Sequence, residues 1–102
     1  MSDLDPIHTD PDKYTVIFEN DRVRVLEYRD TPGAKTEAHG HPDSVLVMLS
    51  DFQRRLTVNG DVREVTAKAG QALWSPAQVH AGENSGTTDS HVIFVELKDH
   101  EV

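Results

Sequence analysis

Residues 33–42, GAKTEAHGHP, place His39 and His41 two positions apart with Gly40 between them. In a β-strand, residues i and i+2 point to the same face of the sheet. Two imidazoles spaced in this way can bind one divalent metal ion through bonds of roughly 2.0–2.1 Å. Taken by itself, the pattern is equally compatible with two surface histidines in a polar loop. A third histidine, His80, lies further along the chain in its own strand-like segment, and this favours the metal site.

The rest of the chain consists of short strand-like segments separated by turn residues. Residues 14–19 and 22–29 are rich in β-branched and aromatic side chains, and residues 45–49 form an apolar run. Asn59-Gly60 is the strongest hairpin signal, because this dipeptide favours a tight two-residue turn. About eight or nine such segments, without an amphipathic helix, predict an all-β sandwich or barrel.

The length of the chain, 102 residues, predicts a single domain. We expect residues 1–13, which are rich in aspartate and proline, to form an extended N-terminal arm. Residues 14–98 form the predicted β domain, and residues 99–102 a short C-terminal tail.

The charge and cysteine content exclude several classes of function. With 18 acidic and 10 basic residues the net charge is −8, which disfavours nucleic acid and anionic membranes as partners. The absence of cysteine rules out disulfides and thiolate metal sites. No apolar run approaches the length of a membrane span and no basic signal region is present, so we expect a cytoplasmic protein.

The residues around the histidines resemble the cupin superfamily. The matches to its two motifs, in the same order and at nearly the same spacing, are Gly33, His39, His41, Gly70, Pro76, His80 and Asn84. The resemblance implies a double-stranded β-helix, or jelly roll, over residues 14–98, with the histidines pointing into the barrel. It also implies that His39, His41 and His80 are the metal ligands.

Two departures from the cupin motifs bear on the site. The glutamate of the first motif is expected near positions 45 and 46, where this chain has Val45 and Leu46. The second motif is one residue shorter between Pro76 and His80. A one-residue slip along a strand would turn His80 to the opposite face.

The resemblance implies one divalent transition metal as cofactor. Three neutral imidazoles suit iron, nickel, zinc, copper or manganese, and affinity alone does not choose among them. Replacing a carboxylate ligand by an apolar residue removes a negative charge from the site, which raises the Lewis acidity of a bound metal.

Five further residues are weighed as parts of the site. Gln78 is a candidate for a hydrogen bond to a ligand. His91 is a candidate general base near the metal, or a residue that contacts a metal ligand. Alternatively, it lies at the end of its strand on the barrel rim. Trp74 either lines the pocket or packs in the core or a dimer interface. Asp43 is a candidate substitute ligand or a turn residue, and Glu37 lies about 13 Å from His41 in an extended strand, too far to share an ion.

The resemblance implies a small metal-dependent enzyme, a dioxygenase or an isomerase, that acts on a small organic acid or amino-acid catabolite. A non-catalytic cupin that binds a small molecule or a metal, as a sensor or accessory protein, is the main alternative. A metal-free domain that dimerises is a third. By the same resemblance we expect a homodimer, with residues 14–19 as the candidate interface strand.

Overall fold

The computed structural model describes residues 4–98, which form one helical turn followed by a series of β-strands. The elements, in chain order, are α1 (Pro6–Thr9), β1 (Tyr14–Glu19), β2 (Val23–Asp30), β3 (His39–His41), β4 (Ser44–Met48), β5 (Phe52–Val58), β6 (Asp61–Ala67), β7 (Ala72–Ser75), β8 (Gln78–Asn84) and β9 (Ser90–Leu97). The predicted tail, residues 99–102, lies outside the described residues. No helix within residues 4–98 is long and apolar enough to span a bilayer.

The strands form two antiparallel sheets. One has five strands in the order β1-β2-β9-β4-β7, and the other has four in the order β3-β8-β5-β6. Strands that pair in a sheet are often distant in the chain: the last strand, β9, pairs with β2 on one side and β4 on the other. This arrangement is the predicted all-β double-stranded β-helix, or jelly roll.

The core lies between the two sheets and follows the period of two in the strands. In β9, Val92 and Phe94 are buried, whereas Ile93 and Val95 on the other face are only partly buried. The buried apolar residues are Tyr14, Leu26, Tyr28, Met48, Phe52, Ala67, Val92 and Phe94. They come from strands of both sheets, so the barrel interior is one continuous apolar core.

The hairpin predicted from Asn59-Gly60 is confirmed. Val58 pairs with Asp61, so Asn59 and Gly60 alone connect β5 to β6. Both lie in the left-handed region, with φ of 52° for Asn59 and 83° for Gly60. Asparagine and glycine tolerate that region better than other residues, which is why this dipeptide specifies the turn.

The expectation of an extended N-terminal arm is wrong for the residues of α1. The Asp5 side chain accepts a hydrogen bond from the Ile7 amide at 2.9 Å, and Pro6 occupies the first helical position. Both features favour the start of a helix. Leu4 also packs on the barrel, because the Gly40 amide donates to its carbonyl at 2.7 Å. Residues 4–13 are therefore part of the folded domain.

Candidate metal centre

The pairing of β3 with β8 brings the histidines of the two motifs together. His39 lies directly opposite His80, and His41 lies opposite Gln78. Directly opposed residues in an antiparallel pair project to the same face of the sheet. His80 therefore points to the same side as His39 and His41, and the shortened second motif does not turn it away.

The three imidazoles converge inside the barrel. Their candidate ligand atoms all lie within 4.8 Å of one another, and all three side chains are buried. The ring centroids are 4.8 Å apart for His39 and His80, and 5.1 Å for His41 and His80. Phe94 stacks on His41 with an angle of 7° between the ring planes. The packing thus holds the rings in one arrangement.

Hydrogen bonds at Nδ1 determine which ring nitrogen carries the proton. Each Nδ1 lies close to an oxygen acceptor: the Glu37 carbonyl for His39 at 2.8 Å, Glu96 Oε2 for His41 at 2.7 Å, and Gln78 Oε1 for His80 at 2.9 Å. We assign the proton to Nδ1 in each ring, since these oxygens cannot donate. In the neutral rings, Nε2 then keeps its lone pair, and this is the atom through which a metal would bind.

Burial keeps two of these rings uncharged. Burial first, and then the charge of His41, lower the pKa of His39 to about 4. Burial, with further contributions from His41, His39 and Arg54, lowers the pKa of His80 to about 3. Neutral imidazoles with free Nε2 lone pairs are the form that binds a transition metal. The donor set therefore fits a divalent metal ion.

Tyr14, at the start of β1, joins the histidines and was missed by the sequence analysis as a site residue. Its Oη lies 3.2 Å from His39 Nε2 and 3.5 Å from His41 Nε2. Burial raises its pKa well above the usual range, with a smaller contribution from Tyr28. The residue is thus a phenol at neutral pH and donates to an imidazole. No local pattern distinguishes it from an ordinary core tyrosine.

Glu96 was also missed, although its position in β9 offers a signal. It alternates with Val92 and Phe94 on the buried face of the strand. Besides His41, it accepts a hydrogen bond from Arg24 Nε at 2.9 Å, and Arg24 in turn contacts Asp5 at 3.0 Å. This chain of contacts connects the N-terminal arm to a histidine of the site.

The other sequence candidates separate into two groups. Gln78 contacts His80, as described above, and Trp74 lines the cavity beside the histidines while remaining 54 % exposed. His91 lies on the opposite face of β9 from the core and contacts Glu27 through Nε2 at 2.8 Å. A role for His91 behind the metal ligands is therefore wrong. Asp43 lies in the bend between β3 and β4, and its Oδ1 accepts a hydrogen bond at 2.8 Å from the Ala77 amide, which is distant in the chain rather than local.

His39 and His80 face a cavity of about 270 Å³ between the sheets. Its walls are mainly apolar, and His39 and His80 are part of its lining. Cavities that hold drug-sized ligands measure roughly 300–1,000 Å³. This cavity therefore suits a small molecule.

Arg54 adds a positive charge to the cavity wall. Its Nη1 lies 2.6 Å from Asp30 Oδ2, and its guanidinium carbon lies 5.0 Å from the centre of the Tyr28 ring. Gly82 makes this position possible, because a Cβ there would collide with Arg54 Nη2. The charge of Arg54 also contributes to the lowered pKa of His80, so it is felt at the histidines.

Comparison with known proteins gives one related sequence and several related structures. The chain is 40 % identical over 87 residues to the beta-alanine degradation protein BauB of Pseudomonas aeruginosa, covering 82 % of this chain and 88 % of that protein. A cupin domain from Bordetella pertussis superposes with a TM-score of 0.79 at 27 % identity, over 84 % of this chain and 92 % of that one. A double-stranded β-helix protein from Klebsiella pneumoniae gives 0.66 at 26 % identity, over 82 % and 70 %. No family model matches the chain.

Proposed function

The chain belongs to the cupin superfamily, and we propose that it is a metal-dependent, dioxygenase-like enzyme for a small organic acid or amino-acid catabolite. His39, His41 and His80 hold the metal. The observation that carries the proposal is the convergence of three buried histidines, two of which, His39 and His80, line one small cavity. A metal held by these histidines would supply Lewis acidity for the oxygen atoms of a substrate and reactivity towards dioxygen.

The protein residues bind and orient the substrate and ligands. Glu96 and Gln78 hold the imidazoles of His41 and His80 through their Nδ1 atoms, which orients Nε2 towards the metal. The apolar walls exclude water, and this strengthens electrostatic interactions inside the cavity. Arg54 also lines the cavity, but Asp30 already pairs with its charge, so it contributes a polar part of the wall rather than an unpaired cation.

The size of the cavity and the name of the related protein support the substrate class. A cavity of about 270 Å³ accommodates a molecule of few atoms. BauB is named for the degradation of β-alanine, a small amino acid with one carboxylate. We therefore place the substrate among the short amino, keto or hydroxy acids of such catabolism.

A non-catalytic cupin that binds a metal or a small acid is the second candidate. The observation in its favour is that no aspartate or glutamate from the described part of the chain lines the cavity. An enzyme that needs a carboxylate as general base would lack one there. In this candidate the same site binds its ligand without turnover.

Elemental analysis of untagged protein tests the metal site first. We expect about one transition metal per chain in the wild type and none in His39→Ala or His80→Ala. His91→Ala is the matched control, because His91 is a histidine on the outer face and contacts Glu27. Metal retained by His80→Ala would contradict the ligand set.

Oxygen uptake separates the enzyme from the binding protein. Metal-loaded protein is mixed with short amino, keto and hydroxy acids, including β-alanine, and oxygen is followed with an electrode. The enzyme is supported if the wild type and His91→Ala consume oxygen and His80→Ala does not. Stoichiometric binding of an acid without oxygen uptake or product supports the second candidate.

We also propose that the protein forms a homodimer through β1. This edge strand of the five-stranded sheet exposes three consecutive apolar residues, Val16, Ile17 and Phe18, at 40 %, 52 % and 54 %. An exposed apolar edge strand favours pairing with a second copy.

Phe18→Lys should shift the mass measured by light scattering from dimer to monomer. Val62→Lys, at an exposed apolar position of β6, should leave the dimer intact.

A further inference from the structure

We propose that Tyr14 Oη is a fourth protein ligand of the metal, in place of the carboxylate that this cupin lacks, and that the hydroxyl proton is released to solvent when the Oη–metal bond forms. The inference rests on the proposed metal site. Positions 45 and 46, where the glutamate is expected, are occupied by Val45 and Leu46. Leu46 lines the cavity and packs against the core. β4 therefore supplies no carboxylate to the site at these positions.

The distances from Tyr14 match those between ligands of one metal ion. For bonds of about 2.1 Å, two ligand atoms lie about 3.0 Å apart in an octahedral site and about 3.4 Å apart in a tetrahedral one. Tyr14 Oη lies 3.2 Å from His39 Nε2 and 3.5 Å from His41 Nε2. The phenol oxygen thus has the spacing of an adjacent ligand with respect to both imidazoles.

The carboxylates nearest the histidines lie on the wrong side of the rings. Glu96 contacts His41 at Nδ1, and Asp10 lies 3.4 Å from His39 Nδ1. These oxygens face the nitrogens that point away from the metal, because Nδ1 and Nε2 are on different sides of an imidazole. Tyr14 is the residue that approaches both Nε2 atoms, so it is placed to act as a ligand itself.

Tyr14 is held firmly enough to act as a ligand. Its ring centroid lies 4.7 Å from that of Tyr28 and 5.7 Å from that of Phe94, and the side chain is buried. The backbone before it is anchored, since the Tyr14 amide donates to the Asp10 carbonyl at 3.1 Å. A ligand preorganised in this way loses little conformational freedom when the metal binds.

The test uses the fact that the chain has two tyrosines. Tyr28 lines the same cavity, but its hydroxyl donates to Asp30, so Tyr28→Phe is the matched control for Tyr14→Phe. Zinc is the probe metal, because Zn²⁺ is d¹⁰ and adds no absorption of its own. Its affinity is measured by competition with a chelator, and the near-ultraviolet difference spectrum reports on tyrosine.

We expect Tyr14→Phe to weaken zinc binding at least about tenfold and Tyr28→Phe to leave it unchanged. Adding zinc should perturb the tyrosine absorption of wild type and Tyr28→Phe, and not that of Tyr14→Phe. Unchanged affinity in Tyr14→Phe would overturn the proposal, even if the tyrosine spectrum responds. If Tyr14→Phe fails to fold by circular dichroism, the spectrum of Tyr28→Phe decides: a tyrosine response supports ligation, and no response overturns it.

The outcomes separate this inference from the proposed function. A wild type that binds zinc through the histidines, with an unaffected Tyr14→Phe variant, removes the fourth ligand and keeps the three-histidine site. A wild type that binds neither zinc nor any other first-row metal overturns both proposals.

Discussion

Two buried polar clusters each contribute side chains to the wall of the same cavity, and they differ in how their hydrogen bonds are satisfied. The histidine cluster comprises His39, His41 and His80. The Arg54 cluster comprises Tyr28, Asp30, Arg54, Asn84 and Ser90. Both combine residues distant in the chain, and both lie between the two sheets.

The Arg54 cluster is closed on itself. Asp30 accepts hydrogen bonds from Tyr28 and Arg54 on one oxygen, and from the Asn84 side chain and the Ser90 amide on the other. Burial alone would raise the pKa of Asp30, but these donors, with the guanidinium of Arg54, hold it below its usual range. A buried ion pair with its acceptors satisfied is a structural element, whose main effect appears when one partner is removed.

The histidine cluster keeps acceptors that the protein satisfies only in part. Nδ1 of each ring contacts an outer partner, and the neutral rings of His39 and His80 keep a lone pair on Nε2. The Tyr14 hydroxyl, which has one proton, lies within hydrogen-bond distance of both His39 Nε2 and His41 Nε2. Every buried side-chain nitrogen and oxygen of residues 4–98 has a hydrogen-bond partner, so the difference lies in the one hydroxyl that two imidazoles share. This difference supports the proposal that a ligand binds at the histidine cluster.

Removing the charge of the Arg54 cluster should give the largest effect on stability. Arg54→Met leaves the buried Asp30 carboxylate without its partner, and we expect a loss of about 3–5 kcal/mol in the free energy of unfolding. Urea denaturation measures it. Arg55→Met, in an exposed ion pair with Glu64, should cost no more than about 1 kcal/mol. Equal losses in both variants would mean that the buried Arg54–Asp30 pair matters no more for stability than an exposed ion pair.

A substitution of Glu96 tests whether its contact with His41 Nδ1 supports metal binding at the histidine cluster. Glu96→Gln removes the charge that His41 Nδ1 contacts while keeping an acceptor of similar size. Loss of such a partner weakens metal binding by about 10–100-fold, which is what we expect in zinc competition with a chelator. Glu64→Gln, at an exposed carboxylate, is the control. Unchanged zinc affinity in Glu96→Gln would show that Glu96 does not orient His41 for binding.

The smallest of the three effects should be the contribution of Asp30 to the pH dependence of the free energy of unfolding. The folded pKa of Asp30 is lowered, so the carboxylate stabilises the fold above its unfolded pKa, about 3.9, and this contribution is lost as the pH falls through the folded value. Urea denaturation between pH 5 and pH 2 should show a flatter pH profile for Asp30→Asn than for wild type. Asp61→Asn, on the β5–β6 hairpin, should keep the wild-type profile. A wild-type slope in Asp30→Asn would assign the acid sensitivity to other groups.

Local sequence patterns determined the parts of this protein that depend on neighbouring residues. Alternation with a period of two placed His39 and His41 on one face, and Asn59-Gly60 specified its turn through the positive φ that both residues tolerate. These two features are predictable because each is decided within a few residues of the chain. The choice of the jelly roll among all-β folds came from the resemblance of the two motifs to the cupin superfamily.

The tertiary structure decided which distant residues meet. Whether His80 faces His39 depends on the register of β3 against β8, and Tyr14 reaches the histidines because β1 follows the helical turn packed on β3. His91 and Glu96 lie on opposite faces of β9, and the packing of the core determines which of these faces is buried. Such contacts depend on strand pairing and packing across the whole barrel, which a local pattern does not contain.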